Sequence, residues 1–131
     1  MAGAAARESV TLAGLAERAW VARAFTGGVL GPGHPCQEVA VLLVSELFGN
    51  SVRHSASGAA GGMVMVAVTD GDGLVRVEVT DCGGPGVPRV RPAGGDAESG
   101  RGLELVAALA ARWGWRRRGG RIVTWFVLTP D

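Results

Sequence analysis

Glu46, Asn50, Arg53 and His54 fall within two helical turns of one another in this chain. Spacings of three and four residues set them along one stripe of a helix. A carboxylate there can orient or deprotonate an attacking hydroxyl, a carboxamide oxygen suits a hard cation such as Mg²⁺, and the flanking cations suit phosphate. The same stripe, taken alone, also describes an ordinary solvated helix face. A second segment, Asp81-Cys82-Gly83-Gly84-Pro85-Gly86, leaves an alternating strand through glycines. An aspartate so placed can accept a hydrogen bond from the amino group of a planar ligand while the glycines admit backbone close to the ring; the plainer alternative is a turn with Asp at its first position. A third, Gly100-Arg101-Gly102-Leu103, opens a helix, where free amides attract anions and Arg101 adds a bidentate grip on phosphate. A Rossmann dinucleotide site does not fit, because the third glycine and the preceding strand are missing.

Composition narrows the chemistry. The chain has 131 residues, 13 basic and 12 acidic side chains, and every basic one is arginine. Without lysine there is no Walker A loop, no Schiff base and no kinase built around a strand lysine. Phosphate must be met by arginine, backbone amides or a metal ion. The length predicts one domain with a sizeable core, with residues 1–9 as a flexible end and 10–131 as the folded unit. The strongest apolar run, 39–44, lies between Glu38 and Glu46 and falls far short of the ~20 residues of a spanning helix. With no apolar leader core and no CxxC pattern, a cytoplasmic protein with no membrane association is expected, its Cys36 and Cys82 reduced and buried. His34, in a Gly/Pro loop, is read as structural, and Trp20 and Trp125 as packing residues. A net charge of +1 gives no general reason to expect nucleic acid, and the arginines at 116–118 are read as solvated.

The elements that must carry the three segments follow from periodicity. Helical spacing covers 17–30, weakening at Gly27 and Gly28, and then 36–55, with Pro35 as a start signal. Strands are predicted at 63–69 and 74–80 around Asp70-Gly71-Asp72-Gly73. In the second strand Val75, Val77 and Val79 alternate with Arg76, Glu78 and Thr80, as in a strand with one wet face. Residues 82–99 read as a long loop of the kind that is usually functional. A helix at 102–112 and a hairpin of 113–117 and 121–128 around Gly119-Gly120 complete the chain. The order predicts an α+β two-layer sandwich, a mostly antiparallel sheet with about three helices on one face.

In this order and spacing the segments resemble the Bergerat ATP-binding fold of gyrase, the heat-shock chaperone of that class, histidine kinases and mismatch-repair ATPases. SELFGNSVRH (45–54) looks like its N box, VEVTDCGGPG (77–86) its first glycine box and SGRGLELVAALAARWG (99–114) its second. More narrowly, the RW-G that ends the third segment and the final TWFVL (124–128) are similar to the bacterial anti-sigma-factor serine kinases and their stand-alone relatives. The resemblance covers about 17–128. It implies ATP and Mg²⁺ as ligands, with Glu46 as general base and Asn50 as Mg²⁺ ligand. It further implies Arg53 and His54 on the phosphate side, Asp81 at the adenine amino group, Gly83 beside the ring, and Gly100, Arg101 and Gly102 on the phosphates, under a lid of 84–99. Two departures stand out. Pro85 occupies the place of the family's second glycine, and Thr124 matches the adenine-contacting threonine only if the hairpin register shifts, so it is left out of the site.

The resemblance implies a serine protein kinase that binds a sigma factor and phosphorylates a small antagonist protein, with a homodimer an open option. The rival from another class is an ATP-dependent protein-binding regulator that transfers no phosphate; an intact Glu46 argues against it. A sensor histidine kinase fragment lacks its phosphoacceptor helix, and direct DNA binding ranks last.

Overall fold

The computed structural model describes residues 6–54, 58–59, 61–83 and 101–130, with backbone alone at His54 and Arg101. Five strands form one antiparallel sheet: β1 (Ala6–Ala13), β2 (Met63–Gly71), β3 (Leu74–Asp81), β4 (Arg112–Arg118) and β5 (Arg121–Leu128), in the order β1-β2-β3-β5-β4. Three helices, α1 (Ala19–Leu30), α2 (Gln37–His54) and α3 (Arg101–Leu109), cover one face, and a 3₁₀ turn at Ala16–Arg18 leads into α1. The expected α+β sandwich is therefore what the chain forms.

Alternation decides which face the helices take. Val64, Val66 and Val68 of β2 and Val75, Val77 and Val79 of β3 are at most 1 % exposed, and they meet Leu43, Val44 and Phe48 of α2 and Val106 of α3. Each buried valine contributes roughly 1.5 kcal/mol or more over an exposed one, so this layer dominates the stability of the sandwich. Two-residue turns join the hairpins. Asp72 (φ 55°) and Gly73 (φ 75°) both take the left-handed region, the geometry that a type I′ hairpin turn demands of an Asp-Gly pair.

Sequence expectations need correction at several points. Trp20, read as a packing residue, is 59 % exposed on α1, and the helix expected at 102–112 ends at Leu109, with Arg112 already in β4. Residues 6–9, read as part of a flexible end, belong to β1, which pairs along its whole length with β2 from Ala6↔Asp70 to Ala13↔Met63. Its polar Arg7, Glu8 and Ser9 hid a strand whose inward residues are only Val10 and Leu12. The first helix runs through Gly27 and Gly28 to Leu30, the end that the helical spacing predicts. Gln37 Nε2 of α2 donates to the Gly27 carbonyl at 2.9 Å, and a Cβ at Gly27 would make only ordinary contact with Val41 at 3.4 Å. Cys36 is buried as expected, whereas Cys82 is exposed. His34 is structural and has partners: its Nδ1 accepts from the Cys36 amide at 3.0 Å and its Nε2 lies 3.3 Å from Asp70 of β2, tying the start of α2 to the sheet.

The face away from the helices has no second layer among the described residues, yet Ala67, Val123 and Val127 on it are buried. Register explains the cover. Arg76 and Arg112 flank Val127, Arg116 flanks Val123, and the Trp125 indole lies across Gly114, where a Cβ would come within 2.8 Å of the ring. Arginine stems can shield apolar surface while their heads stay wet, and Arg76 stacks 4.4 Å from the Trp125 ring centre. Glu78 sits among Arg7 (3.6 Å), Arg76 (3.6 Å) and Arg116 (3.2 Å). Burial alone would raise its carboxyl pKa, but the hydrogen bond from Arg116 and the arginine charges together bring it below the usual 4.5. A depressed carboxyl stabilises the fold above the unfolded pKa and loses that contribution as pH falls through the folded one. Denaturant titrations should therefore show wild type above Glu78→Gln by about 1 kcal/mol or less at neutral pH, with the gap closing as pH drops below 4.5. A constant gap would refute the assignment.

Thr26 of α1 is fully buried and its hydroxyl has no hydrogen-bond partner among the described residues. An orphaned buried hydroxyl costs about 1–3 kcal/mol, and valine has nearly the same shape. Thr26→Val should raise the unfolding free energy by about 1 kcal/mol in urea; a loss of stability would mean that the hydroxyl is satisfied in solution.

Candidate functional site

Asp81 is the last residue of β3, on the face that Val75, Val77 and Val79 present to the helices, and it is 8 % exposed. Both of its carboxylate oxygens are engaged. The Gly83 amide donates to Oδ1 at 2.7 Å, closing a turn of the Asx kind, and Ser51 Oγ of α2 donates to Oδ2 at 3.1 Å. Burial pushes the Asp81 carboxyl pKa up, and these two donors oppose the rise. The plain-turn and ligand-acceptor readings of this segment thus coincide: one lone pair on each oxygen orients the group, and an ionised carboxylate keeps others for a ligand.

Gly83 takes φ 75°, and a Cβ there would collide with the carbonyl oxygen of Gly120. The glycine is needed because the turn after β3 packs on the tip of the β4–β5 hairpin, a cause that the sequence reading did not foresee. The Pro85 departure and the 84–99 lid lie outside the described residues, as do Gly100 and the side chains of His54 and Arg101.

The helical stripe and the start of α3 meet. A Cβ on Gly102 would stand 2.6 Å from Asn50 Nδ2, 3.2 Å from Asn50 Cγ and 3.3 Å from Glu46 Cβ, so α3 begins against this part of α2 and a methyl there would have to push the Asn50 amide aside. The amide-rich end of a helix thereby lies beside a half-buried carboxylate, Glu46, which has no partner among the described residues, and a carboxamide, Asn50. Asn50 Oδ1 in turn accepts from Arg53 Nη2 at 2.8 Å. The three predicted segments are thus brought together around the C-terminal half of α2, with Asp81 reached through Ser51 and Gly102 through Asn50.

Two residues were missed. Ser51 continues the buried file Leu43, Leu47 at intervals of four and is 6 % exposed; a serine in an apolar file is a signal that such a residue has a buried polar partner. Thr124 was left out because its register was in doubt. It pairs with Val79 on one side and Trp115 on the other and is 5 % exposed. It therefore stands on the helix-facing side as the diagonal neighbour of Asp81, close enough to share a small planar ligand.

The donor set is compatible with Mg²⁺ carried in by a phosphate ligand. Among the described residues no three His, Cys, Asp or Glu side chains cluster to hold an ion by themselves. Mg²⁺ usually takes one or two protein oxygens and fills the rest of its shell with substrate phosphates and water, and the Asn50 oxygen already accepts from a cation. No described helix is long and apolar enough to cross a membrane.

The pattern of the histidine kinase-like ATPase domain matches residues 6–128. Among solved structures, the RsbU and RsbW domains of Rv1364c from Mycobacterium tuberculosis are similar, with a TM-score of 0.64 and 22 % identity over 95 % of this chain. The chain spans 32 % of that protein's length, and at this identity the likeness concerns the fold. No curated protein matches the sequence.

Proposed function

The chain belongs to the histidine kinase-like ATPase domain family, and from that membership we propose that it is a cytoplasmic protein serine kinase and regulator. It would bind Mg-ATP, associate with a sigma factor and phosphorylate an antagonist protein. The observation that carries the nucleotide reading is the buried Asp81 carboxylate, oriented by Ser51 and Gly83 and aimed from the strand end beside Thr124. An exocyclic amino group can donate to it, whereas a purine with a carbonyl there would set oxygen against oxygen.

In this reading the phosphates lie toward the start of α3, where Gly102 leaves the backbone uncovered next to Asn50 and Glu46. Asn50 would supply the protein oxygen for Mg²⁺, which when bound would neutralise phosphate charge. Glu46 accepts the proton of a serine hydroxyl as its oxygen attacks the γ-phosphorus and ADP leaves with the bridging oxygen, and Arg53, Arg101 and the α3 amides stabilise charge on the transferred group. Phosphoryl transfer needs mainly positioning and neutralisation, so arginine and magnesium suffice in a chain without lysine. His54 and Gly100 are assigned to the phosphate side with them, on the sequence resemblance. Glu46, which has no partner among the described residues, favours a kinase over a regulator that only binds ATP, because a carboxylate facing phosphates is a liability unless it takes a proton.

Two measurements test the reading. Mg-ATP at about a hundred times its dissociation constant should stabilise the protein by roughly 2.7 kcal/mol; no thermal shift would sink the ATP site. Labelled ATP and candidate antagonist proteins encoded beside a sigma factor should yield phosphoserine. Transfer unchanged in Glu46→Ala removes the base assignment, and ATP binding without any transfer leaves the non-catalytic regulator.

A further inference from the structure

The Arg53 guanidinium folds back along α2 and donates to Asn50 Oδ1 at 2.8 Å. It lies over Gly49, one turn earlier: a Cβ at that position would be 3.1 Å from Arg53 Nη1 and 3.7 Å from its Cζ and Nη2. A glycine inside a helix costs about 1 kcal/mol relative to alanine, and here it opens a seat for a planar cation. The seat directs that cation to one atom, the amide oxygen that the proposed function assigns to Mg²⁺. Asn50 cannot offer its oxygen twice in the same direction, because Nδ2 is the atom turned toward Gly102.

We propose that Arg53 is the resident cation of the Asn50 site, a guanidinium that Mg²⁺ must displace when a nucleotide binds. The inference rests on the Mg-ATP reading above and adds an exchange to it. Without Mg²⁺ the guanidinium is the positive charge at Asn50 and faces the incoming phosphates itself. With Mg²⁺ it leaves Asn50 Oδ1 and swings to phosphate oxygens, a move open to a long side chain that is exposed at the helix surface. Total cationic charge at the site thus never falls to zero, which a lysine-free chain has few other means to ensure.

The exchange has a signature in the magnesium dependence of ATP affinity, measured by calorimetry from EDTA to millimolar Mg²⁺. In Arg53→Met the competing donor is gone, so the Mg²⁺ concentration at half effect should fall about tenfold, the worth of one charge-assisted hydrogen bond. In EDTA the same variant should bind ATP more weakly than wild type, so the two titrations cross. Gly49→Ala keeps the charge but crowds its seat, and should lower the Mg²⁺ midpoint without the loss in EDTA. Melting of each variant without nucleotide shows that it is folded. A midpoint unchanged in both variants while wild type remains Mg²⁺-dependent overturns the exchange and leaves the Mg-ATP site standing. ATP affinity indifferent to Mg²⁺ in every protein overturns the magnesium assignment and the exchange with it, and absence of ATP binding to wild type overturns the nucleotide reading itself.

Discussion

Asp81→Asn is expected to fold at least as well as wild type and to lose ATP affinity by about 100-fold. The two halves of that result have one cause. Burial raises the Asp81 carboxyl, so its ionised form is held at a cost that Gly83 and Ser51 only partly offset. A group whose folded pKa is raised gives stability at low pH that is lost as pH rises through that value. Removing the charge therefore relieves the folded protein at neutral pH. An asparagine oxygen still accepts from the Gly83 amide, and its NH₂ still meets Ser51 Oγ. For the ligand the change is adverse, since an acceptor-only group becomes one that also presents donors to the adenine amino group, and a hydrogen bond to a charged partner is worth about 1.5–3 kcal/mol. Melting with and without Mg-ATP measures both halves. A variant that melts lower and still shifts with ATP would place adenine elsewhere. The raised carboxyl also predicts that wild-type ATP affinity declines on acidification from a higher pH than an ordinary aspartate would allow.

Gly102→Ala should show a similar separation of stability from binding in a different part of the site. Alanine at a helix start gains up to about 1 kcal/mol in propensity, which offsets the crowding, so the melting temperature should move little. The added methyl would lie 2.6 Å from Asn50 Nδ2 and 3.3 Å from Glu46 Cβ. The Asn50 amide, a short side chain, must rotate away, taking its oxygen out of line with Arg53 and with any ion brought by the nucleotide. Mg-ATP affinity should fall by about 10-fold to 100-fold, since an amide displaced by an ångström forfeits one charge-assisted contact and weakens its neighbours. Calorimetry that finds unchanged affinity would separate α3 from the phosphate site. Together the two variants ask whether adenine and phosphate ends are recognised independently, as sites reached through different residues of α2 should be.

Both variants probe contacts that periodicity alone does not reveal. Glu46, Asn50 and Arg53 are legible as a stripe because a helix repeats every 3.6 residues, and the inward valines of β3 are legible because a strand repeats every two. The sandwich followed from the order of such segments, and the ATP reading from three boxes in the right sequence. Where a signal was mixed, the reading stopped short. The polar start of β1 looked like a loose end, because only Val10 and Leu12 of that strand face the core.

Spacing and residue type thus carry local information: element type, the inward face of each element, the residue types available for phosphate and the exclusion of any lysine-based site. The tertiary structure decided which of these residues meet. Ser51 reaches Asp81 across 30 positions of chain, Gly102 is pressed on Asn50, Thr124 takes its place beside Asp81 only through the β3–β5 register, and Gly83 is held by a hairpin tip. Such meetings depend on how the helix layer settles on the twisted sheet, a global balance of packing in which no single residue's spacing carries the answer. The position of Arg53 on Asn50 is the finest case. Its spacing was visible from the start, but whether it faced phosphate or its own helix was a matter of the space left by Gly49.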